Sequence, residues 1–135
     1  MAGGTELKFE AGTKLFQEGD ASQDLYIIQQ GVVKIYKTTD GKEIPLGIVR
    51  TGQFVGEMSF LDGQPRSATA EAATFVKALK ITKEDMDKVL KTLPAWMMTL
   101  ISSIAARVRQ VDEIIKRNKI VDSEVQAEFD RHKMK

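Results

Sequence analysis

The sequence predicts a mainly β fold with flanking helices: an antiparallel sandwich or barrel, then a short helix and a long C-terminal helix. Before Ile81, short apolar runs alternate with glycines at positions 12, 19, 31, 41, 47, 52, 56 and 63, which is typical of short strands and tight turns. After Ile81, apolar residues recur every three or four positions, which is the period of a helix. A length of 135 residues fits one domain.

The predicted strands are short and separated by turns. Residues 25–28 and 32–36 flank Gln29-Gln30-Gly31, which predicts a bend or a hairpin, and residues 43–49 and 67–81 supply further strands. Asp40-Gly41 predicts a hairpin turn, because both residue types tolerate the positive φ that such turns require. Residues 56–61 fit a single helical turn better than a strand.

Two helices follow the strands. Thr82 is a suitable N-cap for the first helix, because acidic residues follow it in the first turn, and Pro94 suits the first turn of the second helix. Apolar residues along that second helix form a heptad seam, which continues more weakly at Asn118, Asp122, Val125 and Phe129. The seam either packs on the β domain or pairs with a second copy. We favour a homodimer through Ile101, Ile104, Val108, Val111 and Ile115, with Leu93, Trp96 and Leu100 able to face the β domain.

Composition excludes several classes of function. The chain has 20 Lys and Arg against 19 Asp and Glu, so it lacks the basic footprint of a nucleic-acid or membrane-surface protein. It has no cysteine, no signal-peptide pattern and no apolar run near the ~18 residues that cross a bilayer, which favours the cytoplasm. The single histidine, His132, and the lack of nucleophile or phosphate-loop motifs predict neither an enzyme nor a metal site.

The segment from Phe54 to Ala70 carries the candidate chemistry. Glu57 can accept a hydrogen bond from a ribose hydroxyl, and Arg66 can grip a phosphate through two parallel N–H groups. Gly56 and the turn before Ser67 can open further backbone N–H groups toward that anion. These residues suit a small sugar joined to one compact anion. The alternative is an ordinary surface ion pair between Glu57 and Arg66.

In order and spacing, several segments match a known pattern: Leu15-Phe16-Gln17-Glu18-Gly19-Asp20, then residues 25–28, 31–36, 52–57 and 65–69. Over residues 7–117 the chain resembles the cyclic nucleotide-binding domain of catabolite-activator transcription factors, protein-kinase regulatory subunits and cyclic-nucleotide-gated channels. The resemblance implies a binding domain over residues 1–117, with a jelly-roll-like β-barrel (a double-stranded β-helix) over about 7–81 and helices over about 82–117. Residues 118–135 mix both charge signs with few apolar groups, which predicts a polar tail or a helix extension.

The resemblance also implies the binding residues. The cassette for the cyclic phosphate and ribose comprises Val55, Gly56, Glu57, Met58, Arg66, Ser67 and Ala68. The base contact is expected from Arg107 and Asp112 on the last helix, although both residues could instead be solvated surface groups. Cyclic AMP is preferred as ligand, because guanine-selective relatives often carry threonine where this chain has Ser67. Cyclic GMP stays open, since Asp112 could accept from a guanine.

The implied function is that of a regulatory sensor whose C-terminal helix relays the ligand state to a dimer mate or to an unknown effector protein. The residues after Arg117 are too few for the winged helix-turn-helix of the DNA-binding relatives, so we expect no direct contact with nucleic acid. The alternative is a protein-interaction scaffold of the same fold that no longer binds nucleotide.

Overall fold

The structure, a computed structural model, describes residues 4–118 and 123–132. Short strands dominate the first 81 residues and helices follow them, as the spacing of apolar residues predicts. In chain order the elements are β1 (Thr5–Phe9), β2 (Lys14–Phe16), β3 (Leu25–Gln30), β4 (Val33–Thr39), β5 (Lys42–Val49), β6 (Phe54–Val55), α1 (Glu57–Asp62), β7 (Thr69–Ala72), β8 (Val76–Ile81), α2 (Lys83–Leu90), α3 (Ala95–Asn118) and α4 (Ser123–Arg131).

The strands form two antiparallel sheets, in the orders β1-β8-β3-β6 and β2-β7-β4-β5. Small and branched side chains from both sheets build the main core. Because side chains alternate along a strand, Val33 and Ile35 of β4 face this core, while Lys34 and Tyr36 lie on the outer face. The predicted mainly β, jelly-roll-like fold with a short and a long helix is confirmed.

Two turns decide how the sheets connect. Asp40 and Gly41 have φ of 53° and 75°, and they close the β4–β5 hairpin as predicted. The segment at Gly31 is a bend rather than a hairpin, because β3 and β4 belong to different sheets. Gly31 has a φ of 103°, and a Cβ there would lie 2.3 Å from the Phe75 carbonyl oxygen. The predicted strand over residues 67–81 likewise divides into β7 and β8, one in each sheet.

The short helices follow their sequence signals. The predicted helical turn is α1, which begins after Gly56 and ends at Gly63, both with left-handed φ. The Thr82 hydroxyl accepts a hydrogen bond from the Asp85 N–H and caps α2, as predicted. Met86 and Leu90 of α2 pack against a second, smaller core cluster of buried side chains formed by Leu25, Phe60 and Ile81.

The long helix α3 shows a different face from the one expected. Trp96 is 67% exposed and Leu100 is also exposed, so the prediction that they face the β domain is wrong. The docked face instead carries Ala105, which is buried, with Arg109 and Glu113 one and two turns further on. The exposed apolar residues form what we call the α3 stripe: Trp96, Leu100, Ile104, Val108, Val111 and Ile114.

The stripe only partly coincides with the predicted seam. Ile104, Val108 and Val111 belong to both, whereas Ile101 is half-buried. The side chain of Ile115 lies outside the described residues, as does the whole of Asp122. The exposed stripe therefore lies on a different side of α3 from part of the predicted seam. The reason is that docking through Ala105 determines which face of the helix is covered.

Residues 118–135, expected to be a polar tail or a helix extension, include the separate helix α4. Its Phe129 is buried, with the ring edge-on to Tyr36 at 6.3 Å and the Lys34 ammonium 5.4 Å from the ring centroid. The buried Glu128 carboxylate pairs with Arg50. Phe129 therefore covers the outer face of the β2-β7-β4-β5 sheet and does not continue the α3 seam.

Candidate functional site

A cavity of about 80 Å³ lies between the cassette segment and β4–β5. All seven cassette residues predicted from the sequence line it. Its walls are mostly apolar, and one of the lining groups is a cationic side chain, Arg66. The full lining comprises Phe16, Ile35, Val49, Phe54, Val55, Gly56, Glu57, Met58, Ser59, Arg66, Ser67 and Ala68.

Arg66 is the central group of this cavity. Its side chain is only 3% exposed, and its guanidinium carbon lies 4.0 Å from the centroid of the Phe16 ring. Nε donates to the Ser22 hydroxyl at 3.0 Å, and the two terminal nitrogens donate to the carbonyl oxygens of Gly56 at 3.0 Å and Asp24 at 2.7 Å. The guanidinium is thus fixed by three segments of the chain.

These bonds leave part of the guanidinium for a ligand. Of its five N–H groups, three are used by the described residues, so one on each terminal nitrogen is left. Burial lowers the pKa of Arg66, while the fields of Tyr26 and Asp24 oppose that shift. An arginine stays protonated despite such a shift. The cavity is therefore lined by a fixed positive charge that retains one N–H donor on each terminal nitrogen.

Gly56 permits this approach of the guanidinium. Its φ is 92°, in the left-handed region that disfavours other residues. A Cβ on Gly56 would lie 2.7 Å from Arg66 Nη1 and 2.9 Å from the Asp24 carbonyl oxygen. Val55 positions Gly56, because Val55 is a buried residue of β6 that pairs with Tyr26 of β3. A side chain at position 56 would displace the guanidinium.

The backbone after Arg66 supplies further donors. Arg66 itself is tied down, since its N–H donates to Asp20 at 2.8 Å and its carbonyl accepts from Gly19 at 2.9 Å. Within the described residues, no hydrogen bond takes up the N–H groups of Ser67 or Ala68, which precede β7. Ser67 and Ala68 line the cavity together with Arg66, so their N–H groups are candidate donors to the same anion.

The sequence analysis missed the residue that ties α3 to the cassette. Arg109 donates to both carboxylate oxygens of Asp62, at 2.9 and 3.2 Å, and to the carbonyl of Pro65 at 3.0 Å. Pro65 directly precedes Arg66 in the chain. Arg107 is exposed and does not line the cavity, and the side chain of Asp112 lies outside the described residues. The four-residue spacing of Ala105, Arg109 and Glu113 was the signal for this face.

A second ion pair joins α3 to the opposite wall. The Lys37 ammonium lies 2.7 Å from a Glu113 carboxylate oxygen, and the Lys37 side chain is 1% exposed. Lys37 follows Val33 and Ile35 at two-residue spacing on β4, so it lies on the inward face. A charged residue at an inward strand position was a signal that the sequence analysis did not use.

This arrangement suits binding of a small monoanion with an apolar part. The buried guanidinium can neutralise one negative charge, the backbone donors can complete its hydrogen bonds, and the apolar walls exclude water. Among the described ranges, no group of three His, Asp or Glu side chains could hold a metal ion. In residues 4–118 and 123–132, no helix combines the length and apolarity that a bilayer span requires.

Comparison with known proteins agrees with this chemistry. The family model described as cyclic nucleotide-binding domain matches residues 6–93. The chain is 33% identical to the cyclic AMP receptor protein of Thermus thermophilus over 105 residues, which cover 77% of this chain and 49% of the relative. It is 31% identical to a cAMP-dependent protein kinase regulatory subunit of Emericella nidulans over 84 residues, covering 62% of this chain and 20% of the relative.

Solved structures give the same result. The cAMP-bound and cGMP-bound forms of the EAL enzyme Bd1971 match with TM-scores of 0.78 and 0.73 and identities of 32% and 34%. The matches cover 84% and 78% of this chain, but 30% and 28% of those chains. The chain likewise spans about half the length of the bacterial receptor. By its fold, its cavity and the family model that covers most of its length, the chain belongs to the cyclic nucleotide-binding domain family.

Proposed function

We propose that this chain is a regulatory sensor, not an enzyme, and that it binds cyclic AMP in the Arg66 cavity. The observation that carries the proposal is the buried guanidinium with two N–H groups left for a ligand. A cyclic phosphate diester carries one negative charge and two unbridged oxygens, which match one guanidinium edge. The N–H groups of Ser67 and Ala68 complete the phosphate site.

Each remaining cassette residue has a defined role in this proposal. Glu57 is exposed at the start of α1, where its carboxylate can accept from the ribose 2′-hydroxyl. Val55 and Met58 supply apolar wall, and Gly56 leaves room for the guanidinium. The carboxylate and the cation thus select a ribose and a phosphate held close together, as in a cyclic nucleotide.

Cyclic AMP is preferred over cyclic GMP on the identity of Ser67, where guanine-selective relatives often carry threonine. The cyclic AMP receptor of Thermus thermophilus and the protein-kinase regulatory subunit carry cyclic AMP in their names, which supports the same choice. Bd1971 has been solved with either nucleotide, so the margin between them is small. Arg107 does not line the cavity, so any contact with the base requires a rotation of α3.

The output of the sensor is carried by α3. One face of this helix is tied to the cassette by Arg109, and the opposite face presents the α3 stripe. A second copy of the chain is the proposed occupant of the stripe, because its members Ile104, Val108 and Val111 belong to the predicted three-four seam of a two-helix pairing. A ligand that favours one docking of α3 then changes what the stripe presents to the dimer mate or to an effector.

Calorimetric titration tests the proposal directly. Wild-type protein should bind cyclic AMP more tightly than cyclic GMP, and both more tightly than 5′-AMP, whose open dianionic phosphate does not match the monoanion site. Hydrogen exchange at residues 94–117 should change when cyclic AMP saturates the protein. If neither cyclic nucleotide binds, the sensor function is refuted and the scaffold alternative takes its place. Binding without any change in exchange would refute the relay alone.

A further inference from the structure

One buried cation has no role in the proposed function. The Lys37 ammonium carries three N–H donors, and among the described residues Glu113 is its hydrogen-bond acceptor. Burying a charged amine is costly unless acceptors surround it. Glu113 is itself 58% exposed and belongs to a helix whose opposite face is open. A fully buried cation is therefore held by a carboxylate that can move away.

Lys37 lies next to the phosphate cassette. It shares the inward face of β4 with Ile35, which lines the cavity. In the pairing of β4 with β7, Tyr36 lies opposite Thr69, so the next position along β4 lies beside Ala68. Neighbouring strands are about 4.8 Å apart. The backbone of Lys37 therefore lies beside Ala68 at one end of the cavity, and its ammonium extends from there to Glu113.

We infer that Lys37 is a second cation of the nucleotide site and that Glu113 is a tethered competitor for it. The inference rests on the proposed function, because it requires a cyclic phosphate at Arg66. That phosphate and the Glu113 carboxylate are like charges drawn to one ammonium, so the binding of either weakens the other. Ligand binding then releases α3 at Glu113, while Arg109 still holds the helix at Asp62.

Three consequences follow for ligand affinity. Neutralising Glu113 removes the competitor and tightens binding, whereas neutralising Lys37 removes a cation and weakens it. The effect of Glu113 also has to disappear when Lys37 is gone, because Glu113 acts through that ammonium. If Glu113 merely stabilised the fold, replacing it would weaken the protein's affinity for the ligand and would not strengthen it.

The test is a double-mutant cycle read by calorimetry with cyclic AMP. Glu113→Gln should tighten binding by about five-fold and Lys37→Met should weaken it by about ten-fold, while the double variant should match Lys37→Met. Glu10→Gln, a change at an exposed glutamate far from the cavity, should leave affinity unchanged. Circular dichroism checks folding, and Lys37→Gln replaces Lys37→Met if the latter does not fold.

The outcomes separate this inference from the proposed function. If Glu113→Gln binds cyclic AMP no more tightly than the wild type, Glu113 is not a competitor. The same conclusion follows if Glu113→Gln increases the affinity equally in the wild type and in the Lys37→Met variant. Wild-type protein that binds cyclic AMP while Glu113→Gln shows no gain refutes this inference alone. Wild-type protein that binds neither cyclic nucleotide refutes the proposed function.

Discussion

The cassette and the long helix α3 are held in place by different kinds of interaction. On the cassette side, Arg66 is buried and donates to the Gly56 carbonyl within the cassette and to Ser22 and Asp24, which are 44 and 42 positions away. On the helix side, α3 docks through the small residue Ala105 and two ion pairs, one of which ends on the exposed Glu113. Among the four charged groups of these two pairs, Glu113 is the one that is mostly exposed, so its contact with Lys37 is the least protected from water.

This difference teaches how binding and signalling can be separated in one small domain. The cassette is preorganised, so its geometry costs little to maintain when a ligand enters. We expect a ligand to shift the docking of α3 at the exposed Glu113, because an ion pair open to water contributes little free energy. Variants on the two sides should therefore fail in different measurements.

The largest effect should come from Arg66. Arg66→Ala should weaken cyclic AMP binding by ~2–4 kcal/mol, because it removes the buried charge that pairs with the phosphate. Calorimetry measures the loss, and Lys14→Ala, which removes an exposed cation, provides the control. Affinity close to that of the wild type would show that the phosphate does not bind at Arg66.

Gly56 should give the next largest effect. Gly56→Ala should lower the free energy of unfolding by ~1–3 kcal/mol, because it adds a clash with Arg66 to the strain of a left-handed φ. Gly12→Ala is a matched control, since Gly12 has a φ of 91° with no atom within 4 Å of a Cβ. Denaturant titration compares the two. Equal losses would mean that contact with the guanidinium contributes nothing.

The helix side should respond in assembly rather than in affinity. Wild-type protein should sediment at about twice the mass of one chain, and Val108→Lys should weaken the dimer about ten-fold by placing a charge in the α3 stripe. Gln110→Lys, an exposed change on the same helix outside the stripe, should not. A wild-type monomer at high concentration would contradict the seam.

The smallest effect should come from the contact between the two sides. Arg109→Gln should loosen α3 by ~0.5–1 kcal/mol, as expected for a partly exposed ion pair, and speed its hydrogen exchange a few-fold without ligand. Arg107→Gln controls for loss of an exposed arginine on the same helix. If both variants exchange alike, the Asp62 contact does not hold the helix.

The sequence predicts which cassette residues share a cavity because the motif that carries them is local. Gly56, Glu57 and the turn around Arg66 are close in sequence, and their order matches the family pattern, which implies one shared site. The hairpin at Asp40-Gly41 and the Thr82 cap were predictable for the same reason, since each depends on a few adjacent residues.

The contacts that dock α3 could not be predicted from local sequence patterns. Lys37 and Glu113 are 76 positions apart, and nothing in a single sequence pairs them. The heptad spacing shows that α3 has an apolar side but not which side docks, so Trp96 and Leu100 were assigned to the wrong partner. The bend at Gly31 was also ambiguous, because sheet membership depends on strands elsewhere in the chain.

The return of α4 to the barrel sets the position of residue 132. With Phe129 seated beside Tyr36 and Glu128 paired with Arg50, residue 132 lies at the side wall and not at the far tip of α3. A fluorophore attached at residue 132 would report on the wall of the domain beside β4 and β5, whereas one at residue 96 would follow the long helix.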